Sequence, residues 1–201
     1  MPEFSAPKLG TRSSIVTVDA DVPADANGVI YALGSFSRGT DPYVKDGILC
    51  YEYNLFEIEC TSICTTGKIA TGRDKIVVET TTHSKPKPDG SKSPYQSATI
   101  VVSVNGNQVA KGGVPLLATL LFIANDCLDF GTDQGSPVSM AYFSRTPTLR
   151  LAMAEAQALN LASSADSTAY SQAVKCLLRF ARFIPIDNIG ELPRIFEQLK
   201  L

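Results

Sequence analysis

The sequence lacks both an excess of positive charge and an apolar run long enough to cross a membrane. Its 201 residues include 18 Lys and Arg against 20 Asp and Glu, for a formal net charge of −2. Phosphate recognition needs clustered basic residues, which this composition does not favour. The longest apolar run, residues 114–124, contains Pro115 and Thr119 and is too short to span a bilayer. We therefore expect neither nucleic acid nor a membrane as a partner.

A secretory signal is also missing from the first residues. Met1-Pro2-Glu3-Phe4 does not begin the charged, apolar and small-residue regions of such a signal, so we expect a cytoplasmic protein. Residues 1–10 are predicted to form a flexible N-terminal segment. A hydrophobic content of 44% with 19% charged residues is typical of a folded globular protein. The length suits one domain with a substantial core.

Familiar catalytic signatures are absent as well. The chain has no Gly-x-Ser-x-Gly elbow, no phosphate-binding loop that ends in Gly-Lys-Ser/Thr and no His-Glu-x-x-His pair. A serine or cysteine triad would have to use His83, the one histidine, which closes the threonine-rich stretch 79–83. A histidine at a strand end is either simply exposed or a base at the edge of a groove. His83 is therefore a catalytic candidate only if the protein is an enzyme.

The five cysteines are irregularly spaced. Cys60 and Cys64 would point to the same face of a strand, but no second pair of cysteines or histidines completes a zinc site. We therefore expect free thiols that are buried or half-buried.

Short alternating or wholly apolar stretches, separated by turn residues, run from residue 11 to about residue 145. Asp46-Gly47 and Asn105-Gly106 mark hairpins, because these residues accept positive φ values. The predicted strands are residues 14–22, 28–36, 48–56, 57–64, 75–83, 98–104, 108–110, 116–124 and 128–130. The expected fold class is mainly β, an antiparallel two-sheet jelly-roll sandwich with a C-terminal helical extension. We assign the sandwich to residues 11–155.

One segment between two predicted strands is unusually rich in proline and lysine. Residues 84–94 contain three prolines and three lysines and are predicted to form an exposed loop. This loop is either a solvated connection or the basic lip of a binding site.

The composition favours helix after about residue 149. Alanine, leucine, methionine and glutamate are good helix formers, and an apolar stripe at helical spacing follows. Its members are Tyr170, Ala173, Val174, Leu177, Leu178 and Ala181. Residues 156–201 are therefore predicted to be a helical extension that packs on the sandwich or on a partner. A homodimer through these helices is one form of that packing.

The strand 48–56 carries the best candidate ligand site. Its more apolar face, with Tyr51 and Tyr53, is predicted to be the core between the sheets. Glu52 and Asn54 lie on the opposite face, where a glutamate is either solvated or, if half-buried, raised in pKa and useful as an acid or base. The catalytic candidates are Glu52 and His83, and the ligand-binding candidates are Glu52, Asn54, Arg73 and Tyr142.

Three aspartates lie in a turn-rich segment near residue 130. Asp126, Asp129 and Asp133, with neighbouring carbonyls, could supply oxygen ligands to Ca²⁺. The spacing does not match an EF-hand, and such turns are also common between strands for conformational reasons. We expect no cofactor other than this calcium ion.

A series of motifs resembles the C-terminal β-sandwich of long microbial arylsulfatases. The residues that carry the resemblance are 28–34 (GVIYALG), 43–47 (YVKDG), 51–56 (YEYNLF), 102–106 (VSVNG), 109–112 (VAKG) and 128–137 (LDFGTDQGSP). The resemblance implies a laminin-G or concanavalin-A-like jelly roll over roughly residues 11–145. It also implies no sulfatase chemistry, because the Cys/Ser-x-Pro-x-Arg motif of those enzymes is absent from this chain.

Two functions remain open from the sequence. The first is a non-sulfatase jelly-roll module that binds a carbohydrate or an aromatic small molecule. The alternative is a small cofactor-independent enzyme of the isomerase or cyclase type in a secondary-metabolite pathway, which uses the groove of the sandwich as an apolar pocket.

Overall fold

The computed structural model describes residues 6–86, 92–117, 127–134, 136–142, 148–158 and 175–178, and every regular element within these ranges is a β-strand. The strands are β1 Ser14–Val22, β2 Gly28–Val29, β3 Tyr31–Ser35, β4 Arg38–Lys45, β5 Ile48–Leu55, β6 Glu59–Cys64, β7 Gly72–Pro86, β8 Lys92–Val104, β9 Asn107–Leu117, β10 Leu128–Phe130, β11 Arg150–Ala158 and β12 Lys175–Leu178. The ranges contain no helix long and apolar enough to cross a membrane.

The strands form two antiparallel sheets that pack as a sandwich. The first sheet has the order β12-β11-β1-β7-β8-β9, and the second has the order β10-β3-β4-β5-β6, with β2 beside β4. The expected mainly β, two-sheet antiparallel architecture is confirmed. The predicted strands 14–22 and 128–130 have the observed bounds of β1 and β10.

The core lies between the sheets and is built from alternate residues of each strand. Tyr51 and Tyr53 of β5 are fully buried there, as their position on the apolar face predicted. The same core cluster includes, from the first sheet, Val16, Val18, Ile76, Val78, Ile100 and Val102. Removal of this apolar surface from water is the main force that holds the sheets together.

Both predicted hairpins form with the expected turn geometry. Asp46 and Gly47 have φ values of 52° and 83°, and Asn105 and Gly106 have φ values of 52° and 82°. These values are those of type I′ turns, whose twist matches that of the flanking strands. The first turn joins β4 to β5 and places Asp41 directly opposite Glu52.

The C-terminal prediction needs a partial correction. β11 continues through the predicted boundary between residues 155 and 156, and Lys175–Leu178 forms a strand beside it. Pairing with β1 and β12 satisfies the backbone groups of β11, and this tertiary gain outweighs the helix propensity of its alanines. The rest of the segment 156–201 lies outside the described residues, and its helices, the dimer through them and the boundary at residue 10 stay predictions.

The predicted loop 84–94 is also shorter than expected. β7 continues to Pro86 and β8 begins at Lys92, with these two residues opposite each other. Residues 87–91 lie outside the described residues. The pairing of β7 with β8 therefore continues into residues 84–94, which their prolines and lysines predicted to be a loop.

Two of the expected free thiols are instead joined in a disulfide. Cys50 of β5 and Cys64 of β6 lie directly opposite each other, with Cα atoms 4.0 Å apart. The prediction failed because the sequence spacing did not reveal the register that brings them together. Cys60 is a free thiol, but it is exposed rather than buried or half-buried.

Candidate functional site

The outer face of the second sheet carries polar residues on its two central strands. Strand alternation places Asp41 and Tyr43 of β4 on the face away from the core, opposite Glu52 and Cys50 of β5. This is the face on which the sequence analysis predicted Glu52 and Asn54. It holds a second, smaller apolar cluster formed by Val29, Ala32, Tyr43, Cys50, Val138 and Tyr142.

Residues 136–142, which we call the covering loop, lie over this face. Val138 rests on Gly39 so closely that a Cβ atom at Gly39 would come within 2.7 Å of its Cγ2. The ring of Tyr142 packs on the ring of Tyr43, with centroids 5.2 Å apart and a 57° angle between the planes. The absence of a side chain at Gly39 is therefore what lets the loop approach the sheet.

Asn54 ties the covering loop to the turns beside it. Its Nδ2 donates to the carbonyl oxygens of Phe36 at 2.6 Å and Val138 at 3.4 Å. Its Oδ1 accepts from the backbone N–H of Glu57 at 2.9 Å and from the thiol of Cys60 at 3.6 Å. Asn54 is thus a buried residue with both ends of its amide engaged within the protein, and its role in ligand binding stays a prediction.

Five side chains meet under and beside the covering loop, and we call them the acid–tyrosine cluster: Asp41, Tyr43, Glu52, Asp133 and Tyr142. The Tyr43 hydroxyl donates to Glu52 Oε2 at 3.4 Å, and the Tyr142 hydroxyl donates to Asp133 Oδ2. Asp133 Oδ2 also accepts from the backbone N–H of Val138 at 2.8 Å. The carboxylate of Asp133 therefore fixes the covering loop as well as its tyrosine.

Asp41 is the unusual member of the cluster. Its side chain is 0% exposed, and neither carboxylate oxygen has a hydrogen-bond partner among the residues of the described ranges. Burial raises the pKa of Asp41 well above its ordinary value, and the nearby charge of Glu52 raises it further. The Tyr142 hydroxyl lies close enough to Asp41 to lower its pKa in part, but it donates its one proton to Asp133. The cluster therefore contains a buried acid that favours its neutral form.

The other members of the cluster have shifted pKa values too. Burial raises the pKa of Asp133, against the hydrogen bonds from Tyr142 and Val138. Burial also raises the pKa of Tyr43 and of Tyr142 far above the usual range, with added effects from the acidic neighbours. Both phenols therefore stay neutral and remain hydrogen-bond donors at any physiological pH.

The structure does not bring the other predicted site residues to this cluster. Arg73 and His83 lie on β7 of the first sheet, whereas Glu52 lies on β5 of the second. Ten residues of extended strand separate Arg73 from His83 by about 33 Å. His83 is exposed and its Nε2 hydrogen-bonds Thr99 Oγ1 at 2.9 Å. Glu52 and His83 therefore lie on different sheets, Arg73 lies on the sheet of His83, and the predicted roles of these residues stay predictions.

The predicted calcium ligands are divided between different roles. Asp126 lies outside the described residues, and Asp129 Oδ2 accepts from the backbone N–H of Gln134 at 3.2 Å. Asp133 is held by Val138 and Tyr142. Within the described ranges, no three His, Cys, Asp or Glu side chains are grouped so that they could hold a metal. The calcium site stays a prediction.

Sequence reasoning missed Asp41 and Tyr43, although a signal for them was present. The two-residue turn at Asp46-Gly47 fixes the register of β4 against β5, and that register places Asp41 opposite Glu52. Glu52 and Tyr142 were both predicted as ligand-binding residues, and Tyr43 links them, since its hydroxyl donates to Glu52 and its ring packs on Tyr142.

Comparisons with known proteins add little to these contacts. No protein-family model and no curated protein sequence matches the chain. Among solved structures, the chain is similar to a native heptameric SAP-like pentraxin from Limulus polyphemus, at 13% identity and a TM-score of 0.29. The similarity covers 61% of this chain and 59% of the pentraxin chain. At this level of similarity, neither ligand nor assembly can be transferred, and the site is argued from its own geometry.

Proposed function

We propose that this chain is a non-catalytic β-sandwich module that binds a small polar ligand, foremost a carbohydrate, at the acid–tyrosine cluster. The observation that carries the proposal is the buried Asp41, whose carboxylate oxygens have no hydrogen-bond partner in the described ranges. Buried polar groups are normally hydrogen-bonded, and a ligand rich in hydroxyl groups would supply the missing donors. The rings of Tyr43 and Tyr142 are buried against each other, and a movement of the covering loop would expose their apolar surface to the face of a sugar ring.

Access to the cluster begins at its half-buried members. Glu52 and Asp133 are half-buried, whereas Asp41, Tyr43 and Tyr142 are buried. A ligand would therefore contact Glu52 and Asp133 first and would reach Asp41 when the covering loop moves. The resemblance to the C-terminal sandwich of arylsulfatases agrees with this proposal, because it implies a sandwich that lacks the catalytic motif of a sulfatase.

A titration with matched variants tests the proposal. The full chain is screened against a glycan panel, and the best ligand is titrated by calorimetry with Glu52→Gln and with Glu79→Gln. Glu79 is an exposed glutamate on β7, in the other sheet, and serves as the control. We expect Glu52→Gln to weaken binding at least about tenfold, as for loss of a charged hydrogen bond. No glycan binding by the full chain, or equal effects of the two variants, would overturn the proposal.

The second candidate is the cofactor-independent isomerase or cyclase. It is favoured by one observation, a buried carboxyl with a raised pKa at Asp41 directly opposite the half-buried Glu52. A neutral acid beside a second carboxyl group is an arrangement that enzymes use for proton transfer. Incubation with apolar aromatic metabolites tests it: turnover that Asp41→Asn abolishes and Asp74→Asn retains would support the enzyme, and binding without product would reject it.

The cellular location is part of the same proposal. A cytoplasmic protein was predicted, whereas disulfides such as Cys50–Cys64 persist mainly in oxidising compartments. Thiol titration of the protein isolated from its native source would decide between the two, because a reduced pair supports the cytoplasm.

A further inference from the structure

Among the described residues, the charged groups that act on Asp41 are all acidic. The groups that act on its carboxylate are Glu52 of β5 and, from the loop side, Asp133 and Tyr142. Tyr43 of β4 faces the same carboxylates, and Tyr31 of β3 and Tyr51 of β5 act from the core side. These are acids and neutral phenols, so the ionised carboxylates give the cluster a negative potential, which either a proton on Asp41 or an added cation would balance.

The two carboxylate oxygens of Asp41, which lack hydrogen-bond donors in the described ranges, indicate which kind of cation the cluster fits. A buried carboxylate without donors is costly, and both of its oxygens can accept hydrogen bonds. A metal ion needs several side-chain ligands in one place, and the described ranges hold no group of three that fits. An ammonium group needs fewer ligands at one point, because its N–H groups donate to separate acceptors and its charge balances the carboxylates.

The tyrosine rings favour the same ligand. The rings of Tyr43 and Tyr142 are buried and pack on each other with centroids 5.2 Å apart, and their hydroxyls donate to the carboxylates of Glu52 and Asp133. The face of an aromatic ring attracts an organic cation, most strongly where water is excluded. A movement of the covering loop, which carries Tyr142, would separate the two rings, and their faces beside the carboxylates would then suit a cation that carries carbon groups.

We infer that the acid–tyrosine cluster binds a ligand through an organic ammonium group, with Asp41 and Glu52 as its acceptors and Tyr43 and Tyr142 as its aromatic walls. The inference rests on the proposed function and specifies the chemistry of its ligand. The ammonium group belongs either to an amino sugar or to an alkylamine. Burial favours the neutral form of Asp41, so binding of the cation should release a proton from it.

Four compounds separate these possibilities when titrated into the full chain at pH 7. They are glucosamine, glucose, N-acetylglucosamine and n-butylamine. We expect glucosamine to bind at least about tenfold more tightly than glucose and N-acetylglucosamine, because hydrogen bonds between charged groups are stronger than neutral ones. Binding of n-butylamine alone would support the ammonium site and reject the carbohydrate. Equal affinity for glucosamine and glucose would overturn the inference but leave the proposed function, and no binding at all would overturn both.

Matched variants locate the effect. Asp41→Asn should remove the preference for the amine, whereas Asp74→Asn should keep it, because Asp74 is a buried aspartate, 4% exposed, that bonds Asn105 in the first sheet. Glu52→Gln at the half-buried rim provides a second test in case Asp41→Asn does not fold. Calorimetry in buffers of different ionisation enthalpy should show proton release with the wild type and less with Asp41→Asn. An amine preference unchanged in both cluster variants would overturn the inference.

Discussion

The two faces of β5 are almost equally buried but are buried in different ways. Leu49, Tyr51 and Tyr53 point into the core, where the first sheet covers them with apolar side chains. Cys50 and Asn54 point outward and are buried only because the covering loop and the disulfide partner lie on them. One face is the interior of the sandwich, and the other is an outer surface that a loop has closed.

The difference shows that burial alone does not identify a core. The inner face excludes charge, and its residues are apolar or tyrosine, whose hydroxyls reach polar partners. The outer face includes carboxyl groups, one of which has no hydrogen-bond partner in the described ranges. Such a group costs stability and is retained where it has a use, which is why the outer face is the better place to look for function.

The largest expected effect is on the inner face. Tyr51→Ala would leave a large cavity between the sheets, and we expect it to lower the free energy of unfolding by about 3–5 kcal/mol. Denaturant unfolding measures this loss. Tyr43→Ala is the matched change on the outer face and should cost less, since the covering loop can relax into the space; an equal cost would mean that both faces are packed as one core.

The disulfide should come next. The Cys50→Ala/Cys64→Ala pair removes a cross-link between residues 14 apart in sequence, which is worth about 3 kcal/mol by loop-closure entropy. In thermal unfolding, reductant should lower the stability of the wild type by the same amount as the double substitution does. It should not change the stability of the variant. If reductant leaves the wild type unchanged and no thiols appear on reduction, the two cysteines are not bonded.

A smaller effect is expected from adding one methyl group under the covering loop. Gly39→Ala would place a Cβ atom against Val138, and overpacking of this kind costs about 1–3 kcal/mol. Hydrogen exchange should show faster exchange at the amides of Val138 and Ser139 than in the wild type. Gly67→Ala is the control, because a Cβ atom there meets nothing within 4 Å. Unchanged exchange in Gly39→Ala would mean that the loop is not held by this contact.

The smallest effect is a change in the pH dependence of stability. Burial raises the pKa of Asp41 and of Asp133 in the folded state. The stability that these two groups contribute is therefore present at low pH and is lost as the pH rises through their folded-state pKa values. Asp41→Asn should therefore flatten the fall in melting temperature above pH 4, the region that begins near the ordinary aspartate value of 3.8. Asp74→Asn should leave the fall in place, and equal slopes for wild type and Asp41→Asn would contradict the assignment of this effect to Asp41.

The accuracy of the sequence predictions followed the range of the interactions involved. Alternation in β1 and the two Asn/Asp-Gly turns are local patterns, and they predicted strands, hairpins and the inner face of β5 correctly. Glu52 and Tyr142 were chosen for their chemistry and lie in one cluster. His83 was chosen because it is the one histidine, and it lies on the other sheet, which the sequence order alone could not show.

The sequence by itself determined the extent of β1, the apolar face of β5 and the tight turn that joins β4 to β5. These follow from side-chain period and turn chemistry, both of which act over a few residues. Only the tertiary structure decided that Val138 rests on Gly39, that Cys50 meets Cys64 and that Asp41 is sealed beneath a loop. The physical reason is that these contacts join segments distant in the chain, and their geometry depends on how the strands and loops pack together.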